Sequence, residues 1–67
     1  MEIMVEFAEL KINKYFKLVT PTGIYKGLKL YDAFDQNNAI LFAQGGKIKS
    51  IYIEEDQKVF IESSEQI

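Results

Sequence analysis

The stretch "DAFDQNN" (residues 32–38) is the first in the chain whose side chains could do chemistry. Asp35 and Asn37 stand at the first-and-third spacing of a calcium-binding EF-hand loop. The fifth position would then be Ala39, with no glycine after it and no distal glutamate in register, so the oxygen set is incomplete. A solvated loop built on Asx turns is expected instead. "QGGK" (residues 44–47) could present backbone amides to a phosphate, but a phosphate loop opens onto a helix and here a strand pattern follows. A hairpin turn accounts for both glycines.

With no cysteine and no histidine, the chain has no thiolate zinc site, disulfide, cysteine nucleophile or histidine base. Asp32, Asp35, Glu54, Glu55 and Asp56 fall in turns, where carboxylates are ordinarily solvated. Lys26, on an inward strand parity, is the one candidate for a buried catalytic lysine. Snorkelling of its stem at a rim explains that position more simply. No enzyme activity, cofactor or metal is expected.

Lysines interleaved with aromatics suggest binding instead. In "KYFK" and "YKGLKLY" the residues Tyr15, Lys17, Tyr25, Lys29 and Tyr31 take the outward parity of neighbouring strands. Stacking faces ringed by cations would suit single-stranded nucleic acid. Exposed strands also favour these residue types for β-propensity and edge protection alone, and a protein partner could use the same tyrosines. A second set is apolar: Val19, Ile40, Phe42 and Phe60 also take outward positions. In "NAILFA", Ile40 and Phe42 point one way, with Asn38, while Ala39, Leu41 and Ala43 point the other. A sheet with one wet face should alternate apolar with polar, so a strand apolar on both sides implies a covered outer face and a homo-oligomer. Burying two large side chains contributes roughly 3 to 6 kcal/mol, comparable with the whole stability of a small domain.

These residues must be carried by short strands. "YFKLVT", "IYKGLKLY", "NAILFA", "IKSIYI" and "KVFIE" read as strands separated by "TPTG", "QGGK" and "EEDQ" turns. In "IYKGLKLY" the inward set is Ile24, Leu28 and Leu30, with Gly27 as a candidate bulge. At the start, Ile3, Val5 and Phe7 fit a strand that leads into a helical turn at "FAEL". The pattern predicts an all-β domain, a small five- to six-stranded barrel or a strongly bent sheet. The alternative is an α+β fold in which an N-terminal helix over about residues 2–14 packs on an antiparallel sheet.

At 67 residues the chain is one domain, expected over residues 1–62 with a flexible tail at 63–67, and near the size at which a single core suffices. No apolar run approaches the roughly 18 residues of a spanning helix. "MEIMVEFAEL" lacks the basic start and the cleavage site of a signal peptide, so a cytoplasmic location is expected and no membrane partner. The net charge is -2, but residues 11–29 hold five lysines and no acid, while acids crowd residues 2–9 and the segment from Glu54 onward. The chain is therefore dipolar.

The spacing "FAELKINKYF", then "GIYKGLKL", "NAI" and "IYIEEDQKV" resembles a loose group of very small phage and bacterial proteins with the pattern F-x-x-L-x-x-G-x-x-F … Y-x-x-x-K … A … V. Phe7, Leu10, Phe16, Tyr25, Lys29, Ala39 and Val59 carry the likeness. Asn13 replaces the usual glycine, and asparagine tolerates the left-handed turn. The resemblance implies a Src-homology-3-like small barrel and a mobile-element setting, and it assigns no site. Three functions are therefore weighed. The first is a non-enzymatic module that binds a protein and self-associates. The others are a single-stranded nucleic-acid binder and a phage counter-defence protein that inhibits a host immune effector or sequesters its signal.

Overall fold

The computed structural model describes residues 1–32 and 36–62. The expected tail at 63–67 and the calcium position Asp35 lie outside the described residues. Six strands form one antiparallel sheet: β1 (Glu2–Glu6), β2 (Tyr15–Thr20), β3 (Gly23–Lys29), β4 (Ala39–Phe42), β5 (Ile48–Ile51) and β6 (Lys58–Glu62), in the spatial order β1-β6-β2-β3-β4-β5. The fold is all-β, as the short alternating runs and tight turns predict. An N-terminal helix over residues 2–14 does not form. Ile3 and Val5 pair with Ile61 and Val59 on the core side, and only Phe7–Glu9 coils, as a single 3-10 turn. That turn is capped locally, since the Glu6 amide donates to Glu9 Oε1 at 3.1 Å.

The core lies on one face of the sheet and comprises Phe7, Leu10, Phe16, Ala39, Leu41, Ile53, Val59 and Ile61. In β2, β4 and β6 the alternation in the sequence reports this face correctly: Phe16, Ala39, Leu41, Val59 and Ile61 are buried, while their strand neighbours are more exposed. Strand β3 runs the other way. Tyr25, Gly27 and Lys29 face inward, and Ile24, expected inside, is 68% exposed. Leu28 pairs with Tyr15 and Ile40 on the outer face.

Gly27 is not a bulge, because pairing continues through it to Phe16 and to Leu41. It is small because the Phe16 ring lies over it. A Cβ at this position would sit 2.5 Å from Phe16 Cζ and 2.9 Å from Leu41 Cδ2. The absent side chain lets Phe16 meet Phe7 edge-on, with ring centroids 5.5 Å apart at 79°.

The sheet does not close into the expected barrel among the described residues: β1 and β5 are its two edges. A ladder from β5 to β1 would enclose Lys49, which pairs with Leu41 on the inner side yet is exposed. Elsewhere the expected turns form. Gly45 and Gly46, both at φ 76°, turn β4 into β5, and Asn13 takes the left-handed conformation at φ 69°. No helix of the described residues is long and apolar enough to cross a membrane.

Gly27→Ala is expected to lower stability by roughly 1 to 3 kcal/mol through overpacking against Phe16. Urea unfolding measures it, and an unchanged midpoint would mean that the ring yields without cost.

Candidate functional site

Residues directly opposed in a sheet share a face. On the outer face the pairings Met4 with Phe60, Phe60 with Lys17, Lys17 with Lys26, Lys26 with Phe42, and Phe42 with Ile48 build one transverse row across all six strands. The next row holds Tyr15, Leu28, Ile40 and Ser50, and Val19 lies beside Ile24. The apolar positions expected to meet a partner, Val19, Ile40, Phe42 and Phe60, thus stand together on this face. Val19 is exposed and the other three are half-buried.

At the centre of the face the Tyr15 and Phe42 rings lie 6.3 Å apart, and the Lys26 ammonium sits 4.7 Å above the Tyr15 ring. This cation–π contact orients the lysine across the surface instead of out into water. Sequence reasoning placed Lys26 inward and so missed it. Between β2 and β6 the pairing reduces to Lys17 with Phe60. There a shallow cleft of about 230 Å³ opens, lined by Tyr15, Lys17, Lys26, Phe60 and the carboxylates of Glu2 and Glu62. Lys17 is ion-paired to Glu2. The hydrogen bond that the Lys17 ammonium donates to Glu2, and then the Glu2 charge, raise Lys17 above the ordinary lysine value.

The five residues expected to form a nucleic-acid face do not share one. Tyr15 and Lys17 are on the outer face. Tyr25 points to the core side, half-buried, with its hydroxyl 3.1 Å from Thr22 Oγ1. Tyr31 is exposed beyond the end of β3, near Lys29 and Asp32. Lys29 is inside, at 1% exposure. Its Nζ donates to the carbonyls of Phe7 at 3.0 Å and Leu10 at 2.7 Å and pairs with Asp32 Oδ1 at 2.7 Å, 4.7 Å from the Phe7 ring centroid. All three ammonium protons have acceptors, so the interior tolerates the charge. This lysine is structural.

Asn38 is a second buried polar residue, expected on the outward parity with Ile40 and Phe42. It instead sits just before β4, where its Nδ2 donates to the Ile53 carbonyl at 2.9 Å and its Oδ1 accepts from the Ile53 amide at 2.8 Å. The side chain replaces a missing rung of sheet. A strand-start asparagine beside the buried Ala39 was the only signal for it.

Among the described residues no three carboxylate, histidine or cysteine side chains converge on a point that could hold a metal ion. What the outer face offers is contact: aromatic and aliphatic surface around two cations.

Lys29→Met is expected to cost roughly 2 to 4 kcal/mol, because it leaves the Leu10 carbonyl buried without a donor and removes the clamp on Phe7. Lys26→Met, on the outer face, is expected to leave the unfolding midpoint where it was. Thermal unfolding of both variants separates the structural lysine from the surface one, and equal losses would contradict the assignment. Comparison with family models, with curated proteins and with solved structures finds no match.

Proposed function

We propose that the chain is a non-enzymatic binding module that acts through protein–protein association of the outer sheet face, and that it associates with copies of itself. The observation that carries this reading is the row Met4, Phe60, Lys17, Lys26, Phe42, Ile48, in which four of six side chains are apolar, Met4 and Ile48 exposed and Phe42 and Phe60 half-buried. Exposed Val19 and Ile24 extend the apolar surface. A monomer that leaves such a patch in water risks aggregation, whereas a partner turns it into an interface. The molecule measures 29 × 27 × 21 Å along its principal axes, so one broad face is of the size that a standard interface covers, roughly 800 Å² per partner.

The antiparallel meander with its one-sided core supports the Src-homology-3-like reading of the fold. Single-stranded nucleic acid is the weaker reading. Of the five residues expected for it, Tyr15 and Lys17 remain on the face, joined by Lys26, and Glu2 and Glu62 beside them repel phosphate. A counter-defence role would be a special case of the same contact, with a host effector as the partner.

Sedimentation from micromolar to millimolar concentration tests the proposal. The unmodified protein is expected to sediment as more than a monomer, and the pair Phe42→Ser with Phe60→Ser as a folded monomer with unchanged far-ultraviolet dichroism. An unmodified protein that stays monomeric throughout would remove the self-association reading.

A further inference from the structure

The centre of the outer face decides how a second copy can sit on it. Lys17 and Lys26 are directly opposed across β2 and β3, an arrangement of like charges that is unfavourable by itself. Glu2 answers Lys17. Among the described residues no carboxylate is in ion-pair reach of Lys26, which rests on the Tyr15 ring.

A closed two-fold dimer centred on this face lies between two limiting arrangements. With the axis along the strands, Lys17 of one copy meets Lys26 of the other. With the axis across them, each lysine meets its own equivalent. Both place the four lysine ammonium groups in a drying interface; Glu2 of each copy is held by Lys17 and Glu62 of each by the N-terminal ammonium, so the two Lys26 are left without a carboxylate, which costs more than the surrounding aromatics return. The face therefore calls for a partner surface that brings carboxylates.

The chain carries such a surface elsewhere. Residues 54–56, Glu-Glu-Asp, form the exposed turn between β5 and β6, and among the described residues none of the three is ion-paired. The turn is rigidly held: the Gln57 amide donates to the Glu54 carbonyl at 3.1 Å, the Ala8 amide to the Glu55 carbonyl at 3.0 Å, and the Phe7 amide to the Gln57 carbonyl at 2.8 Å. Burial, and then the charges of Glu54, Glu55 and Asp56, raise the neighbouring Tyr52 hydroxyl above the ordinary tyrosine value, a sign of their joint negative field. The turn lies past the Glu6 and Lys58 end of the sheet, so it can reach the outer face of another copy.

We infer that self-association is head-to-tail, with the acidic turn at residues 54–56 of one copy docking on the Lys26 and Tyr15 centre of the outer face of the next. This rests on the outer-face association proposed above. Glu2 and Glu62 on the far side of the cleft repel the turn and set its approach from the Lys26 side. Because the two contacting surfaces differ, assembly proceeds to a ring if the rotation closes and to a filament if it does not.

Two variants test this by sedimentation. Lys26→Glu spoils the face and keeps the turn; the triple variant Glu54→Gln, Glu55→Gln and Asp56→Asn spoils the turn and keeps the face. The unmodified protein is expected to form a concentration-dependent series of oligomers that shrinks as salt rises. Each variant alone is expected to associate at least about tenfold more weakly. An equal mixture is expected to give a discrete dimer and nothing larger, since one intact turn and one intact face remain. Oligomers in both variants that match the unmodified protein, or a single closed dimer indifferent to salt, would overturn the head-to-tail arrangement and leave the outer-face reading standing. A monomeric unmodified protein would remove both.

Discussion

A single buried ammonium organises one end of this molecule. Lys29 sends its stem into the core and finds the two carbonyls that bracket the 3-10 turn, that of Phe7, which also accepts the Leu10 amide, and that of Leu10. A cation is favoured there by the local dipole as well. The backbone of the same residue takes up the next stretch: the Asn13 amide donates to the Lys29 carbonyl at 2.7 Å, and the Lys29 amide to the Lys14 carbonyl at 3.1 Å. Residues 7–14 thus wrap around one side chain. Lysine suits this position because its compact charge carries three donors on a flexible stem, where the planar fork of arginine would not reach acceptors set around a point.

From that anchor the core follows. Fixing Phe7 sets the ring against which Phe16 packs edge-on, and Phe16 in turn needs the empty side-chain position at Gly27. The Asn38 side-chain amide ties the same end to the segment before β6 by standing in for backbone at Ile53. Interior volume in so short a chain is used up by these few contacts, all on one side of the sheet. The apolar residues for which it has no room, among them Val19, Ile24 and Met4, stand on the outer face.

Strands β2 and β6 were legible because polar and apolar positions alternate along them, whereas β4 is apolar on both sides and its inner face was read from the small Ala39. The hairpin glycines and the left-handed Asn13 were legible because few other residues accept those backbone angles. In β3 the rule inverted. Its inward set is Tyr25, Gly27 and Lys29, and its outward set includes Ile24 and Leu28, so hydropathy points the wrong way along most of the strand. Nothing near Lys29 in sequence reveals the carbonyls of Phe7 and Leu10 that make its burial tolerable, because they arrive from about twenty residues away. A one-residue error of parity exchanges every side chain between faces. That error hid Lys26 from the outer face and assigned Tyr25 and Lys29 to it, while the outward parity of Val19, Ile40, Phe42 and Phe60 was read correctly.

The sheet also offers two edges, and their chemistry favours the proposal that association uses the face instead. Exposed edge strands recruit further strands unless charge or geometry discourages it. At β5 the exposed Lys49 takes an inward register position opposite Leu41, so a strand added there would carry that charge toward the apolar side. At β1 the charged Glu2 and Glu6 flank Met4, Glu6 held by Lys58 on the adjacent β6 and Glu2 by Lys17 of β2, one strand further in. An incoming strand at β1 would have to desolvate these pairs for little apolar gain. The outer face has the opposite balance: most of its register positions are aromatic or aliphatic, and its charge lies at Lys17, Lys26, the two glutamates of the cleft and the Glu6–Lys58 pair at one end. Under the proposed association, partner choice is decided by whatever neutralises the centre of this surface, while the surrounding apolar side chains contribute most of the affinity.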